Sequence, residues 1–158
     1  VKPFKIPESV LVVVHDPSMQ VLLLERADRP GFWQSVTGSL DSSVEPRMNA
    51  AKRELAEETG LKVEPSAWHD WQFRQEFEIF PHWRHRYAPG VSVNTEHLFS
   101  VEVPRDAEIR LSAREHLQFR WLDWQAAADA CFSWTNSAAI RKIAASRGLT
   151  ADSTNPES

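Results

Sequence analysis

The chain has 158 residues, 42% of them apolar and 25% charged, with a formal net charge of -4 and a single cysteine, Cys131. That length fits one domain, expected over residues 1–149, with a sizeable core, and the acidic balance argues against an electrostatic grip on nucleic acid. One cysteine excludes an intramolecular disulfide and fits a reducing, cytoplasmic setting; no apolar run approaches the ~20 residues of a membrane helix, and the N-terminus lacks a signal-peptide pattern.

Val10 to His15 is a short β-branched run and reads as a strand. Asp16-Pro17-Ser18 is a turn signal, and Val21 to Glu25 reads as the antiparallel partner strand. Asp28 to Phe32 is a loop with Pro30 and Gly31, and Trp33 to Thr37 is a third short strand ending at Gly38. Ser39 to Val44 is polar and has no helical period. Pro46 stands where a first helical residue stands, since its missing N–H needs no partner there. Met48, Ala51 and Leu55 then repeat at helical spacing, and Gly60 supplies a left-handed C-terminal cap. The helix is expected over Pro46 to Thr59, followed by a strand at Leu61-Lys62-Val63.

Trp71 to Phe80 reads as a strand, His82 to Gly90 as a basic and aromatic loop, and Glu96 to Val103 and Phe119 to Leu122 as two more strands. Trp124 to Ala130 reads as a short helix and Trp134 to Arg147 as a long one. Residues 150–158 are expected to form a disordered tail. Strands and helices mix without regular βαβ alternation, so the class is α+β with a mixed sheet.

The chemistry concentrates on the first long helix. Glu54, Glu57 and Glu58 occupy positions i, i+3 and i+4, so they share a face, about 5–6 Å apart at Cβ. They repel one another and sit near the C-terminal end, where the helix dipole disfavours anions. A hard divalent cation would remove both penalties, and oxygen ligands suit Mg²⁺. A solvated acidic face paired with Lys52 and Arg53 would give the same three-residue pattern.

The surrounding residues are more specific. Gly38, Glu45, Arg53, Glu54, Leu55, Glu57, Glu58, Gly60 and Leu61 together resemble the Nudix box, with one residue more than the family pattern between Gly38 and Glu45. The resemblance implies a Nudix α/β/α sandwich whose box forms a loop–helix–loop. It implies an enzyme that hydrolyses phosphoric anhydride bonds with Mg²⁺, Mn²⁺ being possible. It further implies Glu54, Glu57 and Glu58 as metal ligands and catalytic groups, Arg53 as the residue that orients them, and Gly38 and Glu45 as supports.

Other segments, among them Phe32 to Ser39, Phe77 to Phe80, His85 to Val91, Glu115-His116-Leu117 and Ser133-Trp134, are similar to the branch of that family acting on dihydroneopterin triphosphate. This implies release of pyrophosphate from that substrate in folate biosynthesis. By position it implies substrate contacts at Lys5, Arg26, Thr37, Phe77, Glu78, Ile79, Phe80 and Ser133, and a further metal ligand at Glu115. Hydrolysis of dNTPs, ADP-ribose or other nucleoside diphosphate derivatives stays open, as does a non-catalytic nucleotide-binding module. The expected partner is a small pterin or nucleoside triphosphate, with no nucleic acid or membrane and a monomer by default. Within His82 to Arg86, Arg84 or Arg86 would screen triphosphate charge, or the arginines would pair with Glu76, Glu78 or Glu96.

Overall fold

The computed structural model describes residues 3–150, so the tail expected at 150–158 lies, apart from its first residue, outside the described residues. Strands β1 (Glu8–His15), β2 (Gln20–Arg26), β3 (Trp33–Gln34) and β4 (Val36–Ser39) precede helix α1 (Arg47–Thr59). Strands β5 (Trp68–Glu78), β6 (Val93–Glu102) and β7 (His116–Asp123) follow, then helices α2 (Trp124–Ala130) and α3 (Trp134–Ser146). The seven strands form one sheet in the order β3-β2-β1-β6-β5, with β4 also paired to β1 and β7 to β2.

Strand β1 explains the layering. Its apolar run has no polar alternation because both faces are covered, as expected of a central strand. Val10, Val12 and Val14 point to one core with Ala51 and Leu55 of α1. Leu11 and Val13 point to the other, with Trp124 of α2 and Ile140 and Ile143 of α3. The sheet is therefore sandwiched between α1 and the α2–α3 pair, an α+β sandwich around a mixed sheet. β1 runs parallel to β6 from Glu8↔Thr95 to His15↔Glu102 and antiparallel to β4.

Some expectations change. β1 and β2 meet at one register pair, His15↔Val21, because β4 takes the rest of that edge of β1. The expected third strand is two strands broken at Ser35, whose amide is taken by Asn136 Oδ1 at 2.8 Å instead of by the sheet. Pro46 is the N-cap, with an extended ψ of 135°, so the helix begins one residue later. Leu61 to Val63 is not a strand; Leu61 and Val63 pack on the α1 core, and the chain reaches β5 through a 3₁₀ turn at Pro65–Ala67. Part of the expected basic loop is also 3₁₀, Pro81–Arg86. Gly60 caps α1 at φ 77°, and its amide donates to Ala56 O at 2.9 Å.

Candidate active site

Helix α1 turns its acidic face toward the end of β4. Glu54 and Glu58 are buried, at 9% and 1% exposure, while Glu57 is exposed. Burial pushes the carboxyl pKa of both Glu54 and Glu58 up, and each carboxyl interacts with the other. Gly38 is required by this arrangement. A Cβ there would overlap the Glu54 carboxylate, so only glycine lets the strand pass so close.

Arg53 ties the preceding loop to the helix. Its Nε and Nη2 donate to Glu45 at 3.1 Å each, its Nη2 to Ser39 O at 3.2 Å, and its Nη1 to Glu54 at 2.9 Å. Asp41 Oδ2 lies 3.2 Å from Nε. Partial burial alone would lower the guanidinium pKa, but hydrogen bonding to Glu45 and the charges of Glu54, Glu45 and Asp41 raise it on balance. Glu45 in turn takes the Asp41 amide at 2.7 Å, which fixes the turn containing the extra loop residue.

Glu115 arrives on the loop just before β7. With Glu58 and His116 it forms the group whose ligand atoms all lie within 4.8 Å of one another. Glu58 Oε1 and His116 Nδ1 are buried without a hydrogen-bond partner among the described residues. Burial, helped by Arg26, lowers the His116 pKa to about 4. The imidazole is therefore neutral at pH 7 and brings no charge to balance Glu58. Such an acidic cluster can hold a divalent metal, and the orphaned carboxylate oxygen is an acceptor left free for one, since an unpaired buried acceptor is otherwise costly. In the sequence His116 stands out only as part of the Glu115-His116-Leu117 segment, with no role attached.

These groups line one open cleft of about 1470 Å³ together with Lys5, Arg26, Thr37, Gly38, Glu57, Phe77, Glu78, Ile79, Phe80, Arg86 and Ser133. Nearly every residue proposed from the sequence thus meets the same space, but with different freedom. Lys5 is exposed and pairs as a bridge with Tyr87; its enclosure by the cleft, then the charges of Arg86 and Arg26, lower its pKa. Arg26 is already engaged: Asp28 takes Nε at 2.8 Å and Nη2 at 2.9 Å, Gln34 takes Nη1 at 3.1 Å, and the guanidinium stacks 4.4 Å over Trp83. The Thr37 hydroxyl donates to Val10 O at 2.9 Å, and its amide supports Glu58. Arg84 does not line this cleft and pairs with Glu78 at 3.2 Å, one of the pairings expected from the sequence; Arg86 pairs with Asp28 and lines the cleft.

An aromatic wall closes one side. Phe80 stacks on Trp83 at 5.5 Å and meets Phe132 edge-on at 5.8 Å; Phe132 also packs on Phe32 at 4.8 Å. Asn94 and Glu96 of β6 also line the cleft. Both belong to the Asn94-Thr95-Glu96 segment that resembles the pterin branch, which gave them no role in the site; two polar residues two apart at the head of an otherwise apolar strand place a polar pair on a buried face.

Residues 5–143 match the model of the NUDIX domain. The chain is 46% identical over 145 residues to dihydroneopterin triphosphate diphosphatase of Escherichia coli (strain K12), covering 90% of this chain and 95% of that one. It is 42% identical over 142 residues to the protein of the same name from Haemophilus influenzae, covering 88% of each chain. Among solved structures it resembles the E. coli dihydroneopterin triphosphate pyrophosphohydrolase with a TM-score of 0.84 and 44% identity, over 92% of this chain and 99% of that one.

Proposed function

Because the chain belongs to the NUDIX family, we propose that it is a diphosphohydrolase that converts dihydroneopterin triphosphate to the monophosphate and pyrophosphate. The observation that carries the chemistry is the buried Glu58 carboxylate, with one oxygen unpartnered, facing Glu54, Glu115 and the cleft. The identity of the curated relatives over nearly their whole length carries the substrate.

The metal in this reading is Mg²⁺, held by Glu54, Glu58 and Glu115 with Glu57 assisting from the solvent side. When bound, it supplies charge neutralisation at phosphate oxygens and a more acidic water. The side chains do the rest. Arg53 fixes Glu54 through a fork whose other arm is Glu45, so the carboxylates are positioned before substrate arrives. Lys5 and Arg86 line the cleft and would meet the phosphates in this reading, with the Phe80, Trp83 and Phe132 wall as the surface for a flat ring. Water adds to one phosphorus of the α–β anhydride, the bond from that phosphorus to the bridging oxygen breaks to leave the monophosphate and pyrophosphate, and a carboxylate of the helix accepts the water proton. The proposal includes a small-molecule substrate, a monomer and a cytoplasmic setting. It includes no nucleic-acid partner, in keeping with the net charge of -4.

The test is a substrate panel with Mg²⁺: dihydroneopterin triphosphate, the four dNTPs, ADP-ribose and 5′-triphosphorylated RNA, with pyrophosphate and orthophosphate measured separately. Pyrophosphate release with the pterin favoured at least about tenfold in kcat/KM is expected. Equal turnover of the dNTPs would replace the pterin reading with a permissive one, and binding without turnover would leave a nucleotide-binding module.

A further inference from the structure

Glu96 is a buried acid without a cation. It is 6% exposed, and no Lys, Arg or His ion pair reaches it among the described residues. One carboxylate oxygen is held by Thr135 of α3, whose hydroxyl also lies 2.8 Å from Ser133 Oγ. The other, Oε1, has no partner. Two residues earlier on the same face of β6, Asn94 is 2% exposed; its Nδ2 donates to Ser9 Oγ at 2.8 Å, and its Oδ1 is also unpartnered. A leucine or glutamine would cost the fold less than this carboxylate, which must be desolvated with no compensating charge. Burial raises the Glu96 pKa to about 7, which records the same cost.

The two orphaned acceptors line the cleft that holds Glu54 and Glu58. Phe77 lies beside Asn94 across the β5–β6 register, which gives the acceptors an apolar neighbour. A ligand that satisfies them must be flat and must offer several N–H donors along one edge. A pterin does so, with N3–H next to two 2-amino hydrogens. Guanine presents the same edge. Cytosine and adenine offer an amino group beside ring acceptors, and thymine offers one N–H between two carbonyls.

We propose that Glu96 is the specificity-determining residue of this cleft, accepting the N3–H and one 2-amino hydrogen of the pterin ring, with Asn94 Oδ1 as a further acceptor. This assignment rests on the pterin reading of the substrate and adds the residue that reads it. Thr135 orients the carboxylate, and Ser133 orients Thr135, which gives Ser133 an indirect role at the ring end of the substrate. A site built to hydrogen-bond specific donors rejects analogues that lack them far more strongly than an apolar slot does.

The test compares the parent protein with Glu96→Gln on dihydroneopterin triphosphate, dGTP and dCTP, reading kcat and KM separately. The amide offers an N–H where the ring needs an acceptor. We expect the ratio of kcat/KM for the pterin over dCTP to fall at least about tenfold, the scale of a lost hydrogen bond to a charged group, mainly through KM, and the dGTP ratio to fall with it. Neopterin without phosphates, titrated by fluorescence, should lose affinity by a similar factor. A variant that keeps the parent's pterin preference, or that loses rate on all three substrates alike, would overturn the assignment while leaving the substrate reading standing. A parent that does not turn over the pterin at all would remove that reading, and this assignment with it.

Discussion

Glu58 Oε1 lies 3.8 Å from His116 Nε2 inside the protein, beyond hydrogen-bond distance, and the two form no ion pair at neutral pH. Burial raises the carboxyl and lowers the imidazole, so each resists the charge that would attract the other. The cluster of Glu58, Glu115 and His116 could hold a divalent cation there. Metal binding should stabilise the fold: at a hundredfold excess over Kd the gain is about 2.7 kcal/mol, or roughly 5–10 °C in Tm for a chain of this size. A thermal melt with and without Mg²⁺ checks this, and Glu58→Gln should lose most of the shift.

The Arg53 fork predicts that charge alone will not substitute for it. Arg53→Lys keeps the positive charge but cannot span Glu45, Ser39 O and Glu54 together. The Mg²⁺ concentration for half-maximal rate should rise about 10–100-fold, the usual penalty for losing a partner that orients a ligand. An unchanged metal requirement would show that the fork does not position Glu54.

Gly38→Ala places a methyl group on the Glu54 carboxylate. The helix is anchored by Ala51 and Leu55 in the core, so the carboxylate must give way. Circular dichroism should stay near that of the parent while kcat falls about 10²-fold, as a misplacement of about 1 Å costs at a reacting centre.

Glu96 gives a pH dependence with a definite sign. Its carboxyl pKa is raised from 4.5 to about 7 in the folded protein. The folded state holds this proton more tightly than the unfolded state, so stability falls as pH rises from about 4.5 to about 7. The loss is of the order of 3 kcal/mol. Metal-free Glu96→Gln should therefore melt above the parent at pH 8, and the gap should narrow toward pH 5. A variant less stable than the parent at pH 8 would contradict this.

Most strands and both long helices were legible because burial writes itself into the residue pattern: Val10 to His15 as an apolar β-branched strand, though not its central place in the sheet, and Met48, Ala51 and Leu55 as one helical stripe. The break at Ser35 was not legible, since it depends on Asn136, 101 residues away, capturing an amide. Leu61 to Val63 looked like a strand because packing against α1 demands the same apolar residues without any sheet partner. In the site, the box residues stood out as a dense local pattern. Glu96 and His116 lay in segments that resemble the pterin branch, but their roles were not legible, because these lie in missing partners that only the three-dimensional structure reveals.

The central claim is that buried carboxylates of α1 drive hydrolysis of the anhydride. It is tested most directly by kcat for pyrophosphate release from dihydroneopterin triphosphate in Glu54→Gln and Glu58→Gln at saturating Mg²⁺. Each should fall at least about 10²-fold with the fold intact by circular dichroism. Near-parental rates in both variants would contradict the account.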